Sequence, residues 1–458
     1  MAGDSTAVRL GRLLERMLRT PVPLRVRAWD GSEAGPADAP VLWVRDRRAL
    51  RRLAWQPNEL GLARAYVAGE IEVEGDLYDA LRHLAELLWF GTDKRGGAKR
   101  RTDTHDIDTH DTESRTVSLL AVARDLLRLG GLGPQPKPPV EEITMRGRKH
   151  SLRRDGQAIS HHYDVGNEFY RIVLGGSMVY SCAYWTSDEP GYGLADAQRD
   201  KLELICRKLD LRPGARLLDV GCGWGGLALH AAREHGVSVL GVTLSNEQAE
   251  RARKRLAEAD SAGGDIAGGD IADRVEIRLQ DYRELDEAPF DAIASIGMAE
   301  HVGVDRYRDY AAILHRHLRP GGRLLNHQIA ALHPVPENRK QPRTFIDAYV
   351  FPDGELAPLG TTVSILEEAG FEVRDVEALR EHYARTLRAW VANLEADWDT
   401  AAGLATPARA RVWRLYMAAS ALAFAEARLG VNQILAVKAH PDGRSDMPPT
   451  RRWLAPDS

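Results

Sequence analysis

Short apolar runs alternate with amphipathic stretches through the second half of this chain. The helical stretches lie at 227–235 and 247–257, and the strand-length runs lie at 217–220, 237–242, 275–279, 292–296 and 322–326. Strands that alternate with helices in this way predict an α/β domain built on a doubly wound, mostly parallel sheet. Ligands of such sheets bind at the carboxyl ends of the strands, so the chemistry is expected there.

The pattern at the N terminus predicts a separate and smaller unit. Helical stretches at 8–18, 49–54 and 76–88 surround strand-like pieces at 24–26 and 41–44, which indicates a small α/β accessory domain. The stretch after it is polar and contains prolines, so it buries too little apolar surface to offset the entropy of ordering. The expected divisions are the accessory domain at 1–90, a flexible linker at 91–143 with a candidate helix at 117–129, a catalytic domain at 144–440 and a tail at 441–458.

Two later stretches add to the catalytic domain. Residues 345–356 follow the fifth strand as an insertion rich in aromatic residues, which a bare doubly wound sheet does not require. Residues 411–429 predict one long helix whose aromatic and alanine positions share a face. Such a stripe is more typical of a core helix than of a lipid contact.

Composition narrows the class of protein. The 458 residues are 44% hydrophobic, enough for more than one domain, and the net charge of −4 gives no overall attraction to nucleic acid or to membranes. Cys182, Cys206 and Cys222 fit neither a disulfide framework nor a paired metal spacing, which is typical of cytosolic proteins. His105 and His110 lie among aspartates, yet a solvated low-complexity loop is expected there rather than a metal site.

The sequence has neither a signal-peptide pattern nor an apolar run of about 18 residues, the length that a membrane span needs. A lipid substrate would therefore be reached from the water side. A basic stretch lies at 145–154 and carries five Lys and Arg residues without an acid. It predicts either a docking segment for anionic lipid surfaces or a solvated linker.

A glycine-dense turn carries the main chemical signal. Residues 217–226 read Leu-Leu-Asp-Val-Gly-Cys-Gly-Trp-Gly-Gly, with Asp219 near the end of the strand and with Gly221, Gly223 and Gly226 allowing the backbone to approach a ligand. This spacing is compatible with nicotinamide, flavin or S-adenosylmethionine binding. A dinucleotide site also expects an acid at the end of the second strand, where this chain has Thr243-Leu244-Ser245. An Asp-x-Gly-x-Gly methyltransferase is therefore favoured over a dehydrogenase.

Five further motifs flank this turn. They are Ser-His-His-Tyr-Asp-Val-Gly-Asn-Glu-Phe-Tyr at 160–170, Met-Val-Tyr-Ser-Cys-Ala-Tyr-Trp at 178–185, Leu-Gln-Asp-Tyr-Arg at 279–283, Ser-Ile-Gly-Met-Ala-Glu-His-Val-Gly at 295–303 and Phe-Pro-Asp-Gly at 351–354. Together they strongly resemble the cyclopropane fatty-acid synthase family, which includes mycolic-acid cyclopropane synthases and fatty-acyl C-methyltransferases. The resemblance runs from about residue 160 to about residue 438. It implies a Rossmann-like class I methyltransferase sheet with a lid at 345–356 and an accessory domain at the N terminus.

The resemblance also implies a set of site residues. A bicarbonate ion serves the family as a base, and the positions that match its cage are Cys182, Glu300, His327, Ile329 and Tyr383. The positions that match its S-adenosylmethionine site are Tyr180, Ser181, Asp219, Gly221, Gly223, Gly225, Thr243, Leu244, Gln248, Asp281 and Tyr282. Some members carry a cysteine in the C-terminal helix where this chain has Ser420, so a covalent thiol mechanism is not expected.

The expected reaction is methylene transfer to the cis double bond of phospholipid acyl chains, which forms a cyclopropane ring. Alkylation of an alkene develops a cation, so the site must be dry, rich in π-faces and supplied with a base. The closest alternative methylates the same bond and gives a methylene branch, which a partner reductase converts to a 10-methyl chain. A non-catalytic lipid-binding module and a small-molecule methyltransferase are the other candidates. The resemblance further implies a homodimer in the cytoplasm that contacts the membrane peripherally.

Overall fold

The computed structural model describes residues 4–18, 22–84, 119–145, 147, 149, 154, 162, 165–261, 271–332 and 343–451. The chain divides into two compact units. One comprises Met1–Ile143 with Pro342–Tyr349, and the other comprises Thr144–Gln341 with Val350–Ser458. The histidines at 105 and 110 and most of the basic stretch at 145–154 lie outside the described residues.

The first unit is built on a four-stranded sheet in the order β2-β1-β3-β4, in which β1 and β3 are parallel and the other neighbours are antiparallel. Its strands are β1 (Arg25–Arg27), β2 (Glu33–Ala34), β3 (Val41–Val44) and β4 (Ile71–Glu74). Its helices are α1 (Thr6–Leu18), α2 (Arg48–Trp55), α3 (Glu59–Val67), α4 (Leu119–Arg128), a further helical stretch at 77–84 and the short helix Phe345–Tyr349.

Residues 119–143, which were expected within the linker, have specific contacts in this unit. The Arg64 guanidinium binds the Glu142 carboxylate at 2.8 Å, and the Trp55 indole donates to the Gly133 carbonyl oxygen at 3.0 Å. Residues 91–118 of the expected linker lie outside the described residues. A buried ion pair between Arg52 and Glu70, with both guanidinium contacts at 3.1 Å or less, joins α2 to the turn before β4.

The second unit contains a seven-stranded sheet in the order β10-β11-β9-β8-β5-β6-β7. Strands β5 to β9 are parallel, and β11 runs antiparallel to both of its neighbours. The strands are β5 (Arg216–Val220), β6 (Ser238–Thr243), β7 (Val275–Leu279), β8 (Phe290–Ile296), β9 (Leu318–Ala331), β10 (Glu372–Ala378) and β11 (Leu429–Val437). The predicted α/β class and its doubly wound sheet are confirmed.

Helices cover both faces of this sheet, and two hydrophobic clusters pack between them and the strands. The helices are α5 (Asn167–Leu174), α6 (Leu194–Leu209), α7 (Gly226–His235), α8 (Asn246–Ser261), α9 (Ala299–Val302), α10 (Tyr307–His317), α11 (Leu359–Glu368), α12 (Arg380–Ala396), α13 (Trp398–Leu404) and α14 (Pro407–Ala425). Short 3-10 turns lie at Ile271–Asp273, Tyr282–Glu284 and Val304–Arg306. Chain order reverses between β5 and β8, which places the expected ligand site at the carboxyl end of β5.

The predicted C-terminal helix at 411–429 is wrong at its end. The helix α14 ends at Ala425, Ala427 adopts a left-handed backbone conformation with φ of 55°, and Leu429 already begins β11. A left-handed residue stops a helix, and it is usually glycine or asparagine. Alanine gives no such signal, so the sequence pattern predicted a helix that extends beyond its observed end.

Candidate active site

A cavity opens at the carboxyl ends of β5, β6 and β8, where chain order reverses. It is lined by most of the residues that the family resemblance assigned to the cofactor, namely Tyr180, Ser181, Asp219, Gly221, Gly223, Thr243, Leu244, Gln248 and Tyr282. Two assigned residues lie outside the described lining. Gly225 instead caps the N terminus of α7, and the Asp281 carboxylate accepts hydrogen bonds from the Arg283 guanidinium at 2.7 and 2.9 Å.

The glycine turn forms the floor of this cavity. Gly221, Gly223 and Gly225 have φ of 76°, 54° and 75°, in the left-handed region that favours glycine. The amides of Gly221 and Cys222 both donate to the Val242 carbonyl oxygen, at 2.9 and 3.0 Å, which fixes the turn against β6. The turn can therefore hold its backbone close to a ligand without intervening side chains.

Asp219 presents a carboxylate oxygen to the cavity without a hydrogen-bond donor. The residue is buried, and its Oδ2 has no hydrogen-bond partner in the described part of the chain. Burial raises the pKa of Asp219 to about 7, and the nearby Lys201 ammonium opposes this shift. A buried acceptor without a donor is costly, so this oxygen is suited to a ligand hydroxyl or amine.

The sequence analysis did not single out Lys201. This lysine lies on α6, lines the cavity and is almost fully buried, and its Nζ donates to the Ser181 hydroxyl at 2.9 Å. Burial lowers the pKa of Lys201 to about 8. In the sequence it stands within Gln-Arg-Asp-Lys-Leu-Glu-Leu, where a lysine is typical of a solvated helix face, so no local signal marked it.

Glu300 and Ile329 form the most direct contact among the assigned catalytic residues. The Ile329 amide donates to Glu300 Oε1 at 2.7 Å, while Oε2 has no hydrogen-bond partner among the described residues. Burial raises the pKa of Glu300 to about 7, and the Ile329 amide limits this rise. The carboxyl can therefore hold a proton near neutral pH.

His327 lies two residues before Ile329 on β9, so both residues are on the same face of the strand. The residue is buried, and its Nδ1 lies 3.3 Å from the side-chain amide nitrogen of Gln433, its register partner on β11. Its Nε2 lacks a partner within the described residues. Burial, together with the charges of Lys201 and Lys208, lowers the pKa of His327 to about 3, which keeps the ring neutral.

Cys182 and Tyr383 form the other part of the assigned set. Both residues are buried, and the Leu379 carbonyl oxygen accepts from Cys182 Sγ at 3.6 Å and from the Tyr383 amide at 3.1 Å. Burial raises the pKa of the Cys182 thiol well above its usual range, so the thiol is not an active nucleophile. The charge of the Lys201 ammonium acts to lower the pKa of both Cys182 and His327.

Aromatic rings enclose the side of the site next to Tyr180. We call this set the aromatic cluster; it comprises His162, Tyr170, Tyr180, Phe351, Trp390, Trp413 and Tyr416. The ring of Tyr180 lies 5.3 Å from Trp390 and 5.9 Å from Trp413 between centroids, and its hydroxyl donates to Tyr416 at 3.3 Å. The charge of Glu300 acts on the pKa of Tyr416, so the cluster lies near the Glu300 carboxyl.

The arrangement has the features that alkylation of an electron-rich carbon requires. A cofactor cavity lies beside a protonatable carboxyl, a neutral imidazole and a set of π-faces that can stabilise positive charge. The side chains of this region are largely buried, which limits the access of water. No helix of the described residues is long and apolar enough to cross a membrane.

Known proteins are similar to this chain in both sequence and fold. The family described as mycolic acid cyclopropane synthetase matches residues 150–434. A probable fatty acid methyltransferase of Mycobacterium tuberculosis is 42% identical over 95% of this chain and 95% of its own length, and one of Pseudomonas putida is 38% identical over 94% and 95%. The cyclopropane-fatty-acyl-phospholipid synthase of Escherichia coli is 38% identical over 57% of this chain and 63% of its own length.

Solved structures agree with these matches. The cyclopropane synthase MmaA2 from Mycobacterium tuberculosis has a TM-score of 0.56 and 30% identity, over 63% of this chain and 99% of its own. The mycolic acid cyclopropane synthase CmaA1, in a complex with SAH and CTAB, has a TM-score of 0.55 and 32% identity, over 61% and 97%. The chain therefore belongs to the mycolic acid cyclopropane synthetase family and is an S-adenosylmethionine-dependent methyltransferase.

Proposed function

We propose that this enzyme transfers a methylene group to the cis double bond of unsaturated acyl chains in membrane phospholipids and forms a cyclopropane ring. The observation that carries the proposal is Glu300. One of its carboxyl oxygens has no hydrogen-bond partner among the described residues, and its charge acts on Tyr416 of the aromatic cluster beside the cofactor cavity. S-adenosylmethionine supplies an electrophilic methyl group on sulfur. Asp219, Ser181 and the glycine turn bind and orient it.

The aromatic cluster acts on the charge that develops in the substrate. Attack of an alkene on an electrophilic methyl group leaves a carbocation on the acyl chain, which water would trap. Tyr180, Trp390 and Trp413 present π-faces that stabilise such a charge and exclude water. A methyltransferase that acts on nitrogen or oxygen has no need of this enclosure.

Ring closure requires the loss of one proton from the transferred methyl group. Bicarbonate supplies a base of suitable strength when it is bound. The residues present fit such an anion, because Glu300 Oε2 and His327 Nε2 lack partners in the described structure and the Ile329 amide binds the other oxygen of Glu300. A protonated Glu300 donates a hydrogen bond to the anion and avoids repulsion between two negative charges. Tyr383 and the main chain of Cys182 complete the proposed cage.

A second reaction is supported by the relatives that match the whole chain. Both are named probable fatty acid methyltransferases, which suits methylation of the same double bond without ring closure. The chain then acquires a methylene branch, and a partner reductase converts this branch to a 10-methyl group. The same aromatic cluster and carboxyl serve either outcome, because both proceed through one cation.

The proposed setting is the cytoplasmic face of the membrane, which the enzyme contacts peripherally as a homodimer. Nucleic acid has no role in this proposal. The basic stretch at 145–154 supplies positive charge for anionic headgroups. Binding to vesicles that depends on neither salt nor anionic lipid content would contradict this docking role.

Product analysis separates the two reactions. Purified enzyme is incubated with S-adenosylmethionine and oleoyl phospholipid vesicles, with and without a reductant, and the acyl products are examined by mass spectrometry and proton NMR. Cyclopropane resonances without need of a reductant support the leading proposal. Vinylidene protons, which mark an unreduced methylene branch, support the second reaction.

The base is tested separately by depletion of dissolved carbon dioxide. We expect turnover to fall in depleted buffer and to recover when bicarbonate is restored, while the affinity for S-adenosylhomocysteine stays constant. Turnover that is unchanged by depletion would contradict the role of bicarbonate without affecting the methyl transfer itself.

A further inference from the structure

Four side chains with metal-binding atoms meet where α6 packs against α7. Glu203 and Cys206 are three residues apart on α6, so they share a face of that helix. His230 and His235 lie on α7. The ligand atoms of Cys206, His230 and His235 all lie within 4.8 Å of one another, and Glu203 Oε2 lies 3.3 and 3.0 Å from the Nε2 atoms of the two histidines.

This group is distinct from the methyl-transfer site. On α6, Leu202 and Ile205 line the cofactor cavity, whereas Glu203 and Cys206 are absent from its described lining. The two histidines are absent from it as well. The group therefore needs an explanation of its own.

The donor set selects a class of ion. One thiol, two imidazoles and one carboxylate match the nitrogen, sulfur and oxygen ligands of tetrahedral zinc, whereas calcium and magnesium prefer oxygen alone. A zinc ion with one thiolate and one carboxylate is electrically neutral, which suits a position where the cysteine is fully buried and the histidines are mostly buried.

The charges around the group permit an ion of this kind. Glu203 Oε1 lies 3.6 Å from the Arg207 guanidinium, so the other oxygen is the one that faces the histidines. The hydrogen bonds of both histidines with Glu203 bring the two imidazoles together, and the Cys206 sulfur supplies the fourth donor.

We propose that Glu203, Cys206, His230 and His235 bind one zinc ion that fastens α6 to α7. The helix α7 begins at the glycine turn, and its last residue is His235. A metal at this end would hold the helix whose other end forms the floor of the cofactor cavity. The thiol proton is released to solvent when the metal binds, so zinc affinity rises with pH.

Metal titration of the full chain tests the proposal. The purified protein is stripped with a chelator and titrated with zinc in competition with a chromogenic indicator, and then with cobalt as a spectroscopic substitute. We expect one equivalent of zinc per chain. We also expect cobalt to give the absorption of a tetrahedral site, with a sulfur-to-metal charge-transfer band.

Variants locate the site. His235→Asn should weaken zinc binding about 100-fold or more, because loss of even an outer partner of a metal ligand typically costs about 10- to 100-fold. Cys206→Ser should remove the charge-transfer band. The matched control is His440→Asn, because His440 also pairs with a carboxylate, that of Asp446 at 2.6 Å, but lies outside the group. Binding of S-adenosylhomocysteine shows that each variant is folded.

The proposal is overturned by any of three results. The stripped protein takes up no zinc in a saturable way, the cobalt spectrum lacks the thiolate band, or His235→Asn binds zinc as well as His440→Asn does. An increase in the melting temperature with zinc, seen in the parent protein and lost in His235→Asn, supports the proposed clamp between the two helices.

Discussion

Glu300 is the residue on which the proposed mechanism depends most. Replacing it by glutamine keeps an acceptor for the Ile329 amide and a hydrogen-bond donor for the anion, but glutamine cannot take up and release a proton as the carboxyl can. We expect Glu300→Gln to lower turnover by about 100-fold or more, the usual contribution of a positioned acid or base. The affinity for S-adenosylhomocysteine should not change.

The measurement is methyl transfer from labelled cofactor to vesicles, beside calorimetric titration with S-adenosylhomocysteine. Glu368→Gln is the matched control, because Glu368 is an exposed partner of Arg308. Near-normal turnover in Glu300→Gln would remove this residue from the mechanism.

Asp219 should make cofactor binding depend on pH. Its pKa is raised to about 7, and only its ionised form accepts a hydrogen bond at both oxygens. Below this pKa the ligand must displace a proton, so affinity for S-adenosylhomocysteine should rise as the pH increases through about 7 and then level off. In Asp219→Asn we expect weaker binding without this rise. A wild-type affinity that is flat or that falls across this interval would contradict the assignment.

Residue types predicted the site only in part. Glu300, His327 and Asp219 were found because motifs surround them, and their polar atoms do lie buried without partners in the described structure. Lys201 and Gln433 were missed, because their roles arise from contacts across the fold with Ser181 and His327. Such contacts depend on how helices and strands pack in the fold, so the sequence around these residues does not indicate them.

At the scale of elements, the glycine turn depends on backbone conformations that other residues adopt at a cost. Gly221 has φ of 76°, and a Cβ there would lie 3.4 Å from Met298 Sδ. We expect Gly221→Ala to weaken cofactor binding and to lower the free energy of unfolding by about 1–3 kcal/mol. Gly360→Ala is the control, since its Cβ would meet nothing within 4 Å and its φ lies outside the strained region. Equal cofactor affinity in both variants would argue against the turn as the cofactor floor.

The predicted strands show which elements a pattern can reveal. The bounds of β5 to β8 were predicted within two residues. Three of these strands are mainly apolar and β7 alternates apolar with charged residues, and each is followed by glycine or by a polar segment. The strand β10 was missed, since its sequence Glu-Val-Arg-Asp-Val-Glu-Ala has an acidic residue at three of its seven positions. It is a strand because it pairs with β11 at the edge of the sheet, a tertiary effect that local propensity does not show.

At the scale of the whole molecule, we expect the two compact units to differ in their stability against unfolding. Glu70 in the first unit is 1% exposed and binds the Arg52 guanidinium at 2.8 and 3.1 Å. Removing one partner of a buried pair leaves the other charge uncompensated, which typically costs about 3–5 kcal/mol. We expect Glu70→Gln to lower the melting temperature of the first unit while the affinity for S-adenosylhomocysteine is kept. Calorimetry with and without this ligand makes the comparison, and an equal loss of affinity would contradict it.

The central claim is that this chain alkylates the double bond of a phospholipid acyl chain in an enclosed aromatic site. The most direct measurement follows a labelled methyl group from S-adenosylmethionine into oleoyl phospholipid vesicles with the purified enzyme. The account predicts that the label appears in a cyclopropane ring on the acyl chain and that Glu300→Gln abolishes this product. Label that never enters the acyl chain, or that reaches only a headgroup nitrogen or oxygen, would contradict it.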